Sequence, residues 1–444
     1  MATVELTYAS KLPKATTSSA AENYRRPLAI LTTLFFMWGF ITCLNDILVP
    51  HLKSIFNLNY THVMLVQFAF FSAYFVFSIP WSKVVHAIGY QKTMVTGLLT
   101  MGVGAAMFVP AASAASFPLF LTALMVLAGG ITGLQVSANP YVIVLGKPDT
   151  ASSRLNLTQA FNSLGTTVAP LIGGVLILSA APLVIDQVTK LSPQAQQLYR
   201  LQQAASVKVP YVALSVVLVL LAVLIAKSRL PKIEEAVGDR REKIHDSIWN
   251  HPNVILGAVG IFTYVGAEVA IGSFMVSYFC QPQIAGFSPK VAAGYVSFYW
   301  GGAMVGRFIG AALLQRVKTK YVLGACALGS ATLVTVSIFS GGHVAMWSMI
   351  AVGLFNSVMF PSIFALGVAE LGVLTPSGSG LINMAIVGGA IIPLIQGALA
   401  DRIGIQHAFI LPVLCYMYIV FYALKGSRPN SERHLSRFEA VTET

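Results

Sequence analysis

Two carboxylates, Asp46 and Glu268, occupy positions where a charge has almost nothing to pair with. Asp46 lies in the apolar run LAILTTLFFMWGFITCLNDILVP (28–50), and Glu268 in NVILGAVGIFTYVGAEVAIGSFMVSYF (253–279). An ionised acid at membrane depth is costly, so such residues face a water-filled cavity, pair with a partner or bind an ion. A carboxyl group held away from water is also suited to reversible protonation. Asp46 falls near the outer end of its run, where capping or pairing close to water is the competing role. Glu268 falls at mid-membrane or beyond.

Around these acids the sequence sets amides and aromatics. Trp38 and Asn45 share the run of Asp46, and Gln67 and Tyr74 lie in the next one. Gln135 and Asn139 are four apart, Gln159 and Asn162 three apart, and Tyr264 and Glu268 four apart, so each pair shares one helix face. Asn356 and Asn383 complete the set. Asn and Gln each offer a donor and an acceptor, which suits sugar hydroxyls, and a Trp or Tyr ring covers the C–H face of a pyranose. A single amide fits a second role equally well, as glue between helices at about 1 kcal/mol. Taken as a set, the residues read as the lining of a cavity. Arg307, in YWGGAMVGRFIGAALLQR, is expected to snorkel to the cytoplasmic face or cap a helix end. Glu370 and Asp401 sit at helix ends and read as structural.

The elements that must position these residues are membrane helices. Of 444 residues, 56% are hydrophobic and only 10% charged, with a mean hydropathy of +0.74; ordinary soluble domains carry about 25% charge. A span takes about 20 apolar residues. Twelve candidates fall at 28–50, 61–86, 94–112, 118–146, 154–180, 209–227, 252–280, 289–313, 320–340, 344–370, 378–400 and 407–425. The runs are too long and continuous for barrel strands. The fold class is therefore an all-α polytopic membrane protein.

The net charge of +12 orients the chain rather than binding nucleic acid. With the N-terminus inside, only Lys53, Lys190, Arg200, Lys208, Lys290 and Arg402 of the 28 Lys and Arg fall outside cytoplasmic segments. Both termini are thus expected in the cytoplasm. The first 26 residues are polar, so the first helix is expected to serve as its own insertion signal. Cys43, Cys280, Cys326 and Cys415 are scattered singly and read as apolar packers. GGITG (129–133) and GGAIIP (388–393) follow no strand and lack GKS/T, so they read as close-packing surfaces rather than phosphate loops. The eight His fall in loops or at helix ends, without HExxH or GxSxG. No enzyme activity, metal or cofactor is expected.

Charged segment 228–251 splits the chain. The expected order is a tail at 1–27, a six-helix bundle at 28–227, a linker at 228–251, a second bundle at 252–425 and a tail at 426–444. Segment 181–208 is expected outside, with a short helix around 193–205. The halves repeat: QVSANPYVIVLG (135–146) aligns with NSVMFPSIFALG (356–367), matching Pro140 with Pro361 at an offset of 221. NSLGTTVAPLIGGVL (162–176) aligns with AIVGGAIIPLIQGAL (385–399), matching Pro170 with Pro393 at 223. Two homologous halves are the signature of an alternating-access transporter with its site between them.

LFFMWGFITCLNDILVP, LQVSANPYVIVLG, RLNLTQAFNSLGT and YVGAEVAIGSF together resemble the fucose–galactose–glucose branch of the major facilitator superfamily. SKVVHAIGYQK (82–92) resembles a degenerate form of its helix 2–3 motif. The resemblance runs through all twelve candidate helices. It implies twelve transmembrane helices in two pseudo-symmetric bundles and cation-coupled uptake of a monosaccharide. It also implies a coupling role for Asp46, which stands in the family's LND motif. Where the fucose symporter of the branch has a helix-four Glu, this chain has Gln135; where it has a helix-seven Gln, this chain has Glu268. The exchange points to the glucose/galactose subgroup.

The expected function is proton-coupled symport of a neutral hexose, such as glucose, galactose or L-fucose, across a bacterial inner membrane. Asp46 and Glu268 would couple the proton; Trp38, Asn45, Gln67, Gln135, Asn139, Gln159, Asn162, Tyr264, Asn356 and Asn383 would bind the sugar. Sodium is the alternative coupling ion, with Asp46 and Asn45 as oxygen ligands. A drug/proton antiporter, which wants a larger and more aromatic cavity, and a non-transporting receptor are the competing classes. The expected partners are the sugar and the lipid bilayer, with no nucleic acid, and the chain is expected to act as a monomer.

Overall fold

In hydrocarbon a backbone N–H or C=O has no water to bond, so an apolar run must satisfy its own backbone as a helix. The computed structural model describes residues 24–56, 60–177, 192, 194–196, 208–231 and 247–429. Side chains at 25, 42–56, 60–67, 169–177 and 289–290 lie outside the description. The helices are α1 (Arg25–Phe56), α2 (Tyr60–Ile88), α3 (Tyr90–Ser113), α4 (Phe117–Val144), α5 (Ala151–Ile177), α6 (Lys208–Lys227) and α7 (Pro252–Phe279). They continue with α8 (Pro289–Leu313), α9 (Thr319–Phe339), α10 (Gly342–Asn356), α11 (Met359–Gly367), α12 (Thr375–Met384), α13 (Gly388–Ile403), α14 (Ile405–Ala408) and α15 (Ile410–Phe421). Among the described residues there is no strand.

Nine helices, or runs of consecutive helices, among the described residues are long and apolar enough to cross a membrane. Three of the nine are composite, at Gly342–Gly367, Gly372–Ile403 and Ile405–Gly426. The other long helices are α1, α5 and α8. The described apolar part of α1 stops at Ile41, while α5 carries Arg154, Asn156, Gln159 and Asn162, and α8 carries Arg307. The short helix expected around 193–205 lies largely outside the described residues, and the charged linker is described only at its two ends.

The spans at 344–370, 378–400 and 407–425 differ from the expectation of single helices. The first is broken after Asn356, the second passes through a 3-10 turn at Ala385–Val387, and the third is divided between α14 and α15. Proline explains the first break, because Pro361 has no N–H to give the Ser357 carbonyl one turn back. Pro140 likewise leaves the Val136 carbonyl of α4 without its helical donor, although α4 runs on unbroken.

Both halves pack by one scheme. In the first, α1 lies on α5, α2 on α4, α3 on α4 and α6; in the second, α7 lies on α13, α8 on α10, and α9 on α10 and α15. The repeat reaches single atoms. A Cβ added to Gly165 of α5 would run into the Phe36 carbonyl of α1, and one added to Gly388 of α13 into the Phe262 carbonyl of α7. GGITG in α4 is also a packing surface, with Gly130 against the Met101 backbone and Gly133 against Trp81.

The halves meet through α2–α12, α4–α12, α5–α8 and α5–α11. Many of these contacts gather where α1 begins, called here the basal end, with Tyr24 in electrostatic reach of Arg154. There His86 Nε2 and Ser377 Oγ lie 3.0 Å apart, Ser153 donates to the Ala311 carbonyl at 2.6 Å, and Thr319 donates to Ser152 at 2.9 Å.

The close helix approach yields a prediction. Gly165→Ala and Gly388→Ala should each lower stability by about 1–3 kcal/mol, whereas Gly294→Ala, with nothing within 4 Å of the new Cβ, should be neutral. Unfolding temperatures of detergent-purified variants check this; equal shifts at the three sites would contradict it.

Candidate functional site

The polar side chains fall into a cluster in each half, with one cation reaching from the second half to the first. In the first half, Gln135 Nε2 donates to the Tyr74 hydroxyl at 3.0 Å, joining α4 to α2. The other amide atom of Gln135 is buried without a partner, and so are both amide atoms of Asn139, one turn on. Val136 lies between them, and its proline-freed carbonyl accepts a bond from Ser379 Oγ of α12 at 3.2 Å. The unspent amides of α4 therefore flank a contact between the halves. Buried polar atoms in proteins are nearly always paired, so three orphaned atoms on two neighbouring residues are a departure that a polar ligand would relieve.

The second-half cluster is a chain of hydrogen bonds centred on Asn356, the last residue of α10. Its Nδ2 donates to the Tyr299 hydroxyl at 2.8 Å, and its Oδ1 accepts from Ser330 at 3.3 Å. The Tyr264 hydroxyl stands 2.8 Å from Glu268 Oε1 and 3.2 Å from the Asn356 carbonyl. It has one proton, so it serves one acceptor at a time, and an ionised carboxylate is the stronger. Glu268 is partly buried. Protonating it would release the Tyr264 proton to the carbonyl at the helix break.

Of the two roles expected for Arg307, it does not snorkel to the cytoplasmic face, but it does meet a helix end, the Ser357 carbonyl at the C-cap of α10. Side chains on a helix lean toward its N-terminus, and α8 ends at the basal face, so Arg307 leans inward. Its guanidinium donates to Ser163 Oγ and, at 3.4 Å, to the Gln159 carbonyl, both on α5 of the other half. Its Nε meets the Ser357 carbonyl, which Pro361 leaves free, also at 3.4 Å. The Arg307 carbonyl in turn accepts from Asn156 of α5 at 2.6 Å.

The other sequence-derived positions separate into groups. Asn162 Nδ2 bonds the Phe35 carbonyl at 3.0 Å, which ties α5 to α1. Asn383 Nδ2 bonds the carbonyl of Ser379 in its own helix at 2.9 Å, while its Oδ1 stays unpaired. Trp38 is buried with its ring tilted 55° to Phe35 at 5.3 Å. Gln159 is buried beside the Arg307 contact. The side chains of Asn45, Asp46 and Gln67 lie outside the described residues. Sequence reasoning missed Tyr299, Ser330, Ser163 and Ser379. Pro140 and Pro361 mark in the sequence the freed carbonyls of Val136 and Ser357, but not the donors Ser379 and Arg307 that meet them. The described residues contain no group of three or more potential metal ligands.

The model of the Major Facilitator Superfamily matches residues 29–392. The chain is 51% identical over 416 residues to the glucose/galactose transporter of Brucella abortus, covering 94% of this chain and 98% of that one. It is 34% identical over 417 residues to the L-fucose-proton symporter of Escherichia coli, covering 91% and 93%. A crystal structure of a major facilitator superfamily transporter, FucP, in the outward conformation superposes with a TM-score of 0.82 at 34% identity, over 90% of this chain and 98% of that one.

The two clusters should respond differently to truncation. Tyr299→Phe strips a fully buried Asn356 of its acceptor and should cost about 1–3 kcal/mol, whereas Asn139→Ala removes only unspent atoms and should cost less. Thermal unfolding of the ligand-free protein separates them; a larger loss for Asn139→Ala would contradict the assignment.

Proposed function

This chain belongs to the Major Facilitator Superfamily, and from that premise we propose that it is a proton-coupled hexose symporter of the glucose/galactose kind. The observation that carries the reading is the orphaned amide set on Gln135 and Asn139, beside the contact between the halves. Such a place suits a neutral ligand rich in hydroxyls, and a site between repeated halves can open alternately to the two sides. The Brucella relative supports glucose or galactose as substrate, and the symporter from Escherichia coli supports the proton as coupling ion.

In this reading Gln135, Asn139, Gln159 and the free oxygen of Asn383 take sugar hydroxyls, with Trp38 as the stacking surface. Asn45, Gln67 and Asn162 contribute at the margins. Asp46 carries the coupling proton, and Glu268, held by Tyr264 and wired to Asn356, is a second titrating group. The positive-inside distribution puts the basal end and both termini in the cytoplasm of a bacterial cell. The joined basal end then matches a carrier open to the outside, as in the outward conformation of its structural neighbour. The chain acts as a monomer in the inner membrane.

Transport by reconstituted vesicles tests the reading. Asp46→Asn should abolish uphill accumulation while sparing sugar counterflow, and Asn139→Ala should weaken sugar affinity about fivefold, the equivalent of one net hydrogen bond. An imposed sodium gradient at fixed pH should not stimulate uptake. Normal accumulation by Asp46→Asn, or stimulation by sodium, would refute proton coupling as described.

A further inference from the structure

Arg307 is a fixed positive charge at membrane depth, and in this conformation neutral groups hold it. Two of its acceptors, Ser163 Oγ and the Gln159 carbonyl, belong to the first half. The third, the Ser357 carbonyl, belongs to the break between α10 and α11. Glu268 lies within its electrostatic reach but is bonded instead to Tyr264. The Tyr264 hydroxyl and the Arg307 guanidinium thus meet consecutive carbonyls of one break, at Asn356 and Ser357.

Opening the basal end requires α5 to leave α8, and that removes two of the three acceptors of Arg307. A cation left without compensation at this depth is costly, and the carboxyl within its reach is Glu268. We infer that Arg307 is a positioning residue for symport, which exchanges the α5 contacts Ser163 and Gln159 for Glu268 as the basal end opens. The inference rests on the reading of Glu268 as a titrating group. As Arg307 turns, the Glu268 carboxyl gives its proton to water on the side that has just opened. When the halves close again, Arg307 returns to α5 and Glu268 can be protonated from the other side.

The other titratable groups near Glu268 do not offer this exchange. Tyr264 on α7, Tyr299 on α8 and Tyr416 on α15 lie within its electrostatic reach, and each brings a hydroxyl rather than a fixed charge. Tyr418 and Tyr422 bond the Leu256 and Asn253 carbonyls at the basal start of α7. Neither α11 nor α12 carries a titratable side chain. Asp401, Arg402 and His407 gather at the opposite end, around the end of α13 and in α14. Among the described groups, Arg307 alone brings a fixed charge to Glu268 and also touches the other half.

The test compares Arg307→Gln, Arg307→Lys, Ser163→Ala and Glu268→Gln in proteoliposomes, measuring glucose and galactose counterflow against pH, proton-driven accumulation and unfolding temperature. Arg307→Gln should keep counterflow within about threefold and cut accumulation at least about tenfold. Its counterflow should persist to higher pH by about one unit, because removing the cation favours the neutral carboxyl. Arg307→Lys should restore part of the accumulation. Ser163→Ala, which loosens Arg307 from α5, should move the pH profile the opposite way. Should Arg307→Gln fail to fold, the direction of the Ser163→Ala shift decides. Unchanged pH profiles in the Arg307 and Ser163 variants, beside an altered Glu268→Gln, would overturn the role of Arg307 alone. An unchanged pH profile and normal accumulation in Glu268→Gln would instead refute the titration of Glu268 on which the inference rests.

Discussion

A polar group at membrane depth has no water to fall back on, and this constraint organises the molecule. It forces the apolar runs into helices. It also makes departures from regular helix conspicuous, because a carbonyl freed by proline is open to a donor from another helix. Pro140 and Pro361, equivalent in the two halves, free the carbonyls of Val136 and Ser357 in this way. The first is taken by Ser379 of the opposite half, and the second by Arg307, which also grips the opposite half. The same covalent defect, repeated in the two halves, thus supplies one link across the seam directly and in the other half anchors the cation that crosses it.

The duplication explains how rigid halves and a working seam coexist. Within each half, glycines bring helix backbones into direct contact, as Gly165 does on α1 and Gly388 on α7. Between the halves the links include the His86–Ser377 contact and side-chain hydrogen bonds from Ser153, Asn156, Thr319, Ser379 and Arg307, the last with two acceptors on α5. Each is worth about 1 kcal/mol in a membrane setting, so the seam can part while the halves stay whole. The groups suited to binding and titration are drawn from elements at or beside that seam: Gln135 and Asn139 from α4, Gln159 from α5, and Glu268 from α7 through Arg307.

Much of this was legible in the sequence. The length and continuity of the apolar runs gave the helices, and the matched prolines gave the repeat. The buried acid at 268, and the amide pairs four or three apart, marked helices that carry the polar clusters. Other features were not legible, because they depend on which way a side chain leans and on what faces it from another helix. Arg307 read as a snorkelling cation or a helix cap, since proximity to a helix end is visible in sequence whereas the direction of its Cα–Cβ bond relative to the seam is not. Asn162 read as a sugar ligand, and only the fold shows that its nitrogen also ties α5 to the Phe35 carbonyl of α1. Nothing in the sequence singles out Tyr299, and only the fold brings it to Asn356.

The central claim is that sugar and proton move together in one direction. The most direct measurement is the external pH of a weakly buffered suspension of de-energised vesicles, followed as glucose or galactose is added. The account predicts alkalinisation that begins with sugar entry, is absent with a sugar that does not enter, and collapses when a protonophore is present. Entry of labelled hexose without any change in external pH would contradict it.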